Sequence, residues 1–579
     1  MSRTLAYPIL AVAVVAMTAL GNLAVFQAGE EWFVLRPSFD LVIRNVAVVA
    51  CLVIALPLLL PSTHRTRSGL AFVLAAAMLV GVGSAMQFRL GHDVPRKLSR
   101  SEVAHIMDSV SASLPGAPLD SVRRQGWYAV RRLNARLRTE FESARIDTRL
   151  ARSLERAYGP VPITREVLDA RSLAPSDNLL LRILPALVAI ILVVVGTRLN
   201  IVAILARRWV VIGVAGSLAV ALGAFIYLKM TGGIRSALVA PQELLKLTLP
   251  IAWGGLLVRY HDALMPRRRE AFTRNPFVLW LYILVLLSAP MASFILARDF
   301  GQFLVIGLAQ VLLLGWYTRS PLYVVLFSAA FIASGLVLVS AALPAGVSLG
   351  GALGVMAGAV VALAWLERFR RRDVLWTSAS LVLAGYLALA AIASRLPFMA
   401  SLLATPRARF ALFADLYSRN GDAGWWDRTR QVIESLYAQD AGGFLGRGLG
   451  LGTPFLIPNA NSDYIFSAIV EELGIAGGAM LIIVFASLVA MGLRIASDIG
   501  RESFAGLIVA GMTLTLGAQG VVHIGGNLNV LPMTGITLPF VSAGGSSMVV
   551  TMAMMAMTVI LAGGIRAPAI VIRSPTSSS

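Results

Sequence analysis

The chain has 579 residues, 57% of them hydrophobic and 14% charged, with a mean hydropathy of +0.77, which excludes an ordinary soluble domain and indicates a polytopic membrane protein. A formal net charge of +20 would point to nucleic acid in a soluble protein; here the arginines gather between apolar runs without a basic-aromatic module, so nucleic acid is not an expected partner. The single cysteine, Cys51, excludes an intrachain disulfide and a thiolate cluster, and the five scattered histidines lack the paired spacing of a zinc helix.

Apolar segments that reach or approach spanning length begin near Leu5, Val42, Gly69, Asn178, Trp209, Val239, Pro276, Phe303, Pro321, Val347, Val374, Tyr464, Phe504 and Ser546, about fourteen in all. The first, Leu5 to Gln27, lacks a small-residue cleavage signal and reads as a retained helix. Alternating the loops between two sides places the arginine clusters at His64–Arg67, Arg198–Arg208, Pro266–Arg269, Arg368–Arg372 and Arg494–Arg501 on one face with both termini. By the positive-inside bias that face is cytoplasmic. The expected architecture is therefore an all-α polytopic membrane protein. It divides into N-terminal transmembrane helices (1–86), an extracytoplasmic helical insert (87–177), core transmembrane helices (178–396), a large extracytoplasmic loop (397–462), C-terminal transmembrane helices (463–568) and a cytoplasmic tail (569–579).

The insert carries breaks at Leu114-Pro115-Gly116 and Gly159-Pro160, with helical periodicity through Trp127, Val130, Leu133, Leu137 and Phe141 between them. It reads either as a docking surface for a partner or anionic headgroups, or as a solvated hairpin without a ligand. Nothing in it forms a catalytic constellation.

Polar chemistry concentrates in the last third. Between Gly442 and Gly452 glycine recurs every two or three residues around Arg447, a backbone that suits close approach to a phosphate or sugar. Arg447 is either a phosphate contact or a solvated loop arginine. Ser462 and Asp463 stand where a helix N-cap is expected ahead of the apolar run Tyr464–Val470. Glu471 and Glu472 follow about 12–13 Å into that helix, at a depth where a carboxylate in lipid costs about 2.5 kcal/mol or more, so they must face protein or a wet cavity. Earlier in the chain, Glu243 and Lys246 share a helix face at i, i+3, as a local ion pair or as a cation for phosphate oriented by its carboxylate. The turn Ser542-Ala543-Gly544-Gly545-Ser546-Ser547 offers hydroxyls and backbone N–H groups before the last span, either as a cavity wall facing Asp463 or as a helix-initiating turn. His523, within an apolar run, reads as a satisfied core residue.

These stretches carry a resemblance. Leu531 to Ser547, LPMTGITLPFVSAGGSS, resembles the LPxTGxxLPFxSxGGSS turn of the SEDS proteins, the RodA/FtsW group of peptidoglycan glycosyltransferases. Gly442–Gly478 resembles their glycine-rich loop and following helix, Pro241–Lys246 their QPSELxK segment, and Arg298–Gly301 their PDxG turn, all in family order. Departures are Asn459 and Asn461 for the loop's Glu and His, Gln242 for Ser, Arg298 for Pro, His523 for Asn, and extra spans beyond the usual ten.

The resemblance implies polymerisation of lipid II at the outer face of the bacterial inner membrane, in elongation or division, beside a class B penicillin-binding transpeptidase and among membrane lipids. It places Asp463 on the family's essential aspartate, as the base for the attacking hydroxyl. Lys246, Glu243, Arg447, Gln431, Ser435, Ser542, Ser546 and Ser547 fall to substrate binding. No dedicated metal ligands are expected, although a divalent cation, Mg or Mn, could be held by hard oxygens such as Asp463. The alternatives are a flippase of lipid-linked precursors, which would carry polar groups along a route through the bilayer, and a non-catalytic scaffold for a transpeptidase.

Overall fold

The computed structural model describes residues 6–32, 39–61, 66–92, 179–199, 201–230, 241–261, 300–319, 412, 413, 416 and 425–563 except 453, 455, 456 and 458. No strand occurs among the described residues, and eight of their helices are long and apolar enough to cross a membrane. The spans expected near Pro276, Pro321, Val347 and Val374 lie outside the described residues, as do the insert beyond His92 and the tail.

The N-terminal layer consists of α1 (Ala6–Trp32), α2 (Phe39–Ala50), which runs through a π turn into the short α3 (Leu56–Leu59), and α4 (Arg67–His92). A buried amide chain pins it in register: Asn45 donates to Asn22 Oδ1 at 2.8 Å, and Asn22 donates to Thr18 O at 2.9 Å. The expected boundary at 86/87 falls inside α4, whose last turns carry Gln87 and Arg89 into the site described below. Next come α5 (Leu179–Arg198), α6 (Ile201–Trp209), a π segment, α7 (Gly216–Met230), a 3-10 turn at Pro241–Leu244, α8 (Leu245–Arg259) and α9 (Phe300–Thr318). The arginine stretch Arg198–Arg208, expected as a loop, is mostly helical: Arg207 and Arg208 ride on α6, which kinks at Arg208 (φ −118°, ψ 18°) and continues into α7.

The C-terminal part holds α10 (Trp425–Gly442), α11 (Ile465–Ile499), α12 (Phe504–Asn527) and α13 (Gly545–Gly563). Ser503 caps α12, its Oγ accepting from Gly506 N at 3.0 Å. Helix α12 is the hub: it packs against α8, α9, α11 and α13. Because its polar residues meet neighbours on several sides, it can bring distant motifs together.

Helix α11, with 35 residues, is about 52 Å long if straight, far more than a bilayer needs. It is broken at Gly474 (φ 73°, ψ −179°), a conformation essentially restricted to glycine. The break divides a buried half-helix, starting at Ile465, from a membrane-length segment, 475–499.

Candidate functional site

The chain from Asn459 to Tyr464 folds as one tight turn. Asn459 sits at φ 58°, a left-handed conformation asparagine tolerates, and its carbonyl accepts the amides of Ser462 (3.0 Å), Asp463 (3.0 Å) and Tyr464 (3.3 Å). The turn ends with Tyr464 at the N-cap of α11 and no side-chain cap bond, so neither Ser462 nor Asp463 caps the helix as the sequence suggested. The half-buried Asp463 precedes the helix, and its carbonyl accepts from Asn527 Nδ2 at 2.9 Å.

Asn527 closes a network that reaches three helices. Its Oδ1 accepts from Ser467 Oγ at 2.9 Å, and its Nδ2 also donates to His523 O at 2.9 Å. Gln439 of α10 donates to Asn527 O (2.8 Å) and to Ser467 Oγ (2.9 Å), while Ser435 Oγ shares a 2.7 Å bond with Ser467 Oγ. Of the expected substrate residues, Ser435 is therefore a buried member of the network that fixes the Asp463 turn. Gln431, one turn earlier on the same face of α10, is half-buried.

The serine turn docks on the other side. Ser542 Oγ donates to Ser462 O at 2.8 Å and accepts from Leu538 N at 2.8 Å, and Ala543 N donates to Asn461 O at 2.8 Å. Gln87 of α4 also donates to Asn461 O, at 2.8 Å. Phe540 is held at φ 67° within this turn, strain of the kind that persists where surrounding bonds over-determine a conformation. The turn is thus a wall beside Asp463. Its amides at Ser542, Ala543 and Gly544 are engaged by Leu538 O, Asn461 O and Ser542 O, rather than left open for a ligand as the sequence suggested.

Below lies a second polar cluster. Lys246 Nζ donates to Glu243 Oε2 at 2.6 Å and to Gln519 Oε1 at 2.8 Å, and Gln302 donates to Glu243 Oε1 at 2.6 Å. Gln519 also donates to Thr537 O at 2.7 Å, and Thr537 Oγ1 donates to Ser547 Oγ at 2.8 Å. Lys246 is 1% exposed and paired, the geometry of an ion pair that ties α8, α9 and α12; a diphosphate would reach it only after it is uncovered. Ser547 belongs to this cluster, and half-buried Ser546 lies at the start of α13. Gln519, His523 and Asn527 follow at i, i+4 and i+8, so one face of α12 links the two clusters over about 12 Å. His523 is buried on that face, its Nδ1 2.8 Å from Ile536 O.

The glycine-rich loop works differently from the sequence expectation of a phosphate cradle. Gly446, Arg447 and Gly448 donate their amides to Gly442 O, Glu471 O and Glu472 O, and Gly450 N donates to Glu472 Oε2 at 3.0 Å. A Cβ at Gly446 would overlap the Glu472 carbonyl, so glycine is needed here for close packing against the broken helix. Arg447 is half-buried and donates from Nε to Ala441 O at 3.0 Å. Glu471 and Glu472 are fully buried, as their depth demanded, and Glu472 pairs with Arg89 of α4 at 2.9 Å. Arg89 also donates to Gly452 O at 3.1 Å.

The contributors that escaped the sequence reading include Gln519, Asn527, Gln439 and Arg89, with Gln87, Gln302, Ser467 and Thr537 beside them. The first two were legible as polar residues at i, i+4, i+8 around His523 in an apolar helix; Gln439 and Arg89 show no such signal. Asp299 lies outside the described residues. No group of three or more His, Cys, Asp or Glu side chains suited to a metal occurs among the described residues.

Residues 351–563 match the family described as cell cycle protein, of FtsW, RodA and SpoVE. Peptidoglycan glycosyltransferase RodA of Mycobacterium tuberculosis (strain H37Rv) is 36% identical over 138 residues, 24% of this chain and 29% of that protein. Stage V sporulation protein E of Bacillus subtilis (strain 168) is 41% identical over 134 residues, 23% and 36% of the two chains. The match to these curated relatives thus spans about a third of their length. A solved peptidoglycan synthase complex that coordinates polymerization and crosslinking overlays with a TM-score of 0.38 at 18% identity, covering 68% of this chain and 92% of that one.

Proposed function

With residues 351–563 belonging to the FtsW, RodA and SpoVE family of cell cycle proteins, we propose that the protein is a peptidoglycan glycosyltransferase of the inner membrane. Its substrate is lipid II, both termini face the cytoplasm, and Asp463 is the general base at the extracytoplasmic surface. The observation that carries this reading is the clamping of the Asp463 turn between Asn527 and Ser542, which fixes the backbone of the half-buried Asp463 against the polar face of α12.

In the reaction, the 4-hydroxyl of one lipid-linked sugar attacks the anomeric carbon of another. The new C–O bond forms as the bond to the diphosphate breaks, the leaving undecaprenyl diphosphate keeps the electron pair, and Asp463 takes the hydroxyl proton. The wall built from Ser542 borders the Asp463 turn, Gln431 lies one turn before Ser435 on α10, and the half-buried Arg447 stands further along, against Ala441 and Glu471. Arg447 supplies positive charge toward the departing diphosphate, where developing charge is best stabilised by a preplaced donor. Any divalent cation would arrive on the diphosphate it neutralises. The partner is a membrane-anchored transpeptidase that crosslinks the product.

The test is purified full-length protein in liposomes with labelled lipid II. Glycan polymer is the expected product. Translocation of lipid II across the bilayer without polymer would replace this reading by a flippase, and neither activity would leave a scaffold.

A further inference from the structure

Phe444 and Leu445 are 71% and 79% exposed, two large apolar side chains at the tip of the loop between α10 and α11. They do not hang from a loose segment. Ile475 N donates to Gly443 O at 2.9 Å and Ala476 N donates to Phe444 O at 3.1 Å, so the tip is fastened to the helix just below its break.

The depth of that break follows from helix geometry. Arg494 is exposed near the end of α11, where a cation stops at the edge of the hydrocarbon. Gly474 lies about 20 residues earlier, about 30 Å away at 1.5 Å per residue, which is the hydrocarbon thickness. The tip of the loop therefore sits at the opposite boundary. Below it, Ile475, Met480 and Ile483 are 57%, 60% and 57% exposed on the spanning segment, an apolar surface continuous with the tip.

We propose that Phe444 and Leu445 insert into the acyl boundary of the bilayer leaflet at that end, as a rigid apolar wedge that sets the depth of the neighbouring Asp463 turn. The occupant is lipid rather than a partner protein, because the pair projects from a turn instead of lining a groove and continues a surface that already has spanning length. The inference is independent of glycosyl transfer.

Nitroxide labels test it in full-length protein reconstituted alone into liposomes. Leu445→Cys and Phe444→Cys are each made in a Cys51→Ser background, with Asp440→Cys on the exposed end of α10 as the aqueous reference and Ile483→Cys as the lipid reference. Collision with oxygen should exceed collision with a water-soluble nickel chelate at 444 and 445, as at 483 and unlike 440. Nickel accessibility equal to that at 440 would overturn the proposal, leaving the pair as a solvated tip awaiting a protein. Shielding from both collision partners would also overturn it, in favour of a contact between copies.

Discussion

Asn527 links the backbone of Asp463 to Ser467, His523 and Gln439, although it touches none of the expected substrate residues except through Ser467. Asn527→Ala should lower the polymerisation rate by up to about 10²-fold, the cost of misplacing a reacting group by about 1 Å, with KM for lipid II little changed. An equal fall in kcat/KM arising from KM alone would show that Asn527 binds substrate instead. The Glu243–Lys246 pair makes the opposite kind of claim. Removing either partner alone (Glu243→Gln or Lys246→Met) strands a buried charge or its donors and should destabilise by about 3–5 kcal/mol, whereas the double variant should lose less than the two singles together. Additive losses in a denaturation cycle would contradict a structural pair. The composition of this cluster was half legible: i, i+3 spacing joined Glu243 to Lys246, but Gln519 and Gln302 come from helices far away in sequence, which spacing cannot report.

The long helix α11 was legible as a single apolar run opening at Tyr464, and its buried glutamates were expected to face protein or a wet cavity. Its break at Gly474 was not, because a glycine inside an apolar helix usually marks only a small side chain; what fixes it is docking of the 443–448 loop, a contact local patterns do not encode. The amides and carbonyls freed by the break are met by Gly443, Phe444, Arg447 and Gly448, which is how irregular backbone survives at this depth. Gly474→Ala should therefore cost about 1–3 kcal/mol from backbone strain, beyond the overlap of its Cβ with the Phe444 carbonyl. Gly223→Ala in α7, where a Cβ meets nothing within 4 Å, should instead gain up to about 1 kcal/mol. Thermal unfolding of the two variants in detergent checks the contrast, and similar shifts in both would remove the break as a strained junction.

Across the whole molecule, Arg89 of α4 pairs with Glu472 of α11, so the N-terminal layer is part of the site's foundation and not an appendage. Replacing 93–174 by a Gly/Ser bridge, which preserves α4 through His92, should retain basal polymerisation; a well-folded but inactive product would place the insert in the reaction centre. The proposed orientation is checked by thiol labelling in intact cells, in a Cys51→Ser background. An impermeant reagent should modify Asp440→Cys and spare Asp498→Cys, and the reverse pattern would invert the topology. The all-helical membrane architecture was legible because apolar runs of spanning length need no tertiary context; the joining of 87–89, 459–464 and 538–547 into one site was not, since it depends on how the bundle closes. The central claim is that this joined site performs glycosyl transfer through the Asp463 carboxylate. It is tested most directly by comparing wild type with Asp463→Ala on labelled lipid II, each purified and matched for thermal unfolding. The variant keeps the backbone carbonyl that accepts from Asn527 and should form no polymer; polymer at the wild-type rate would contradict the account.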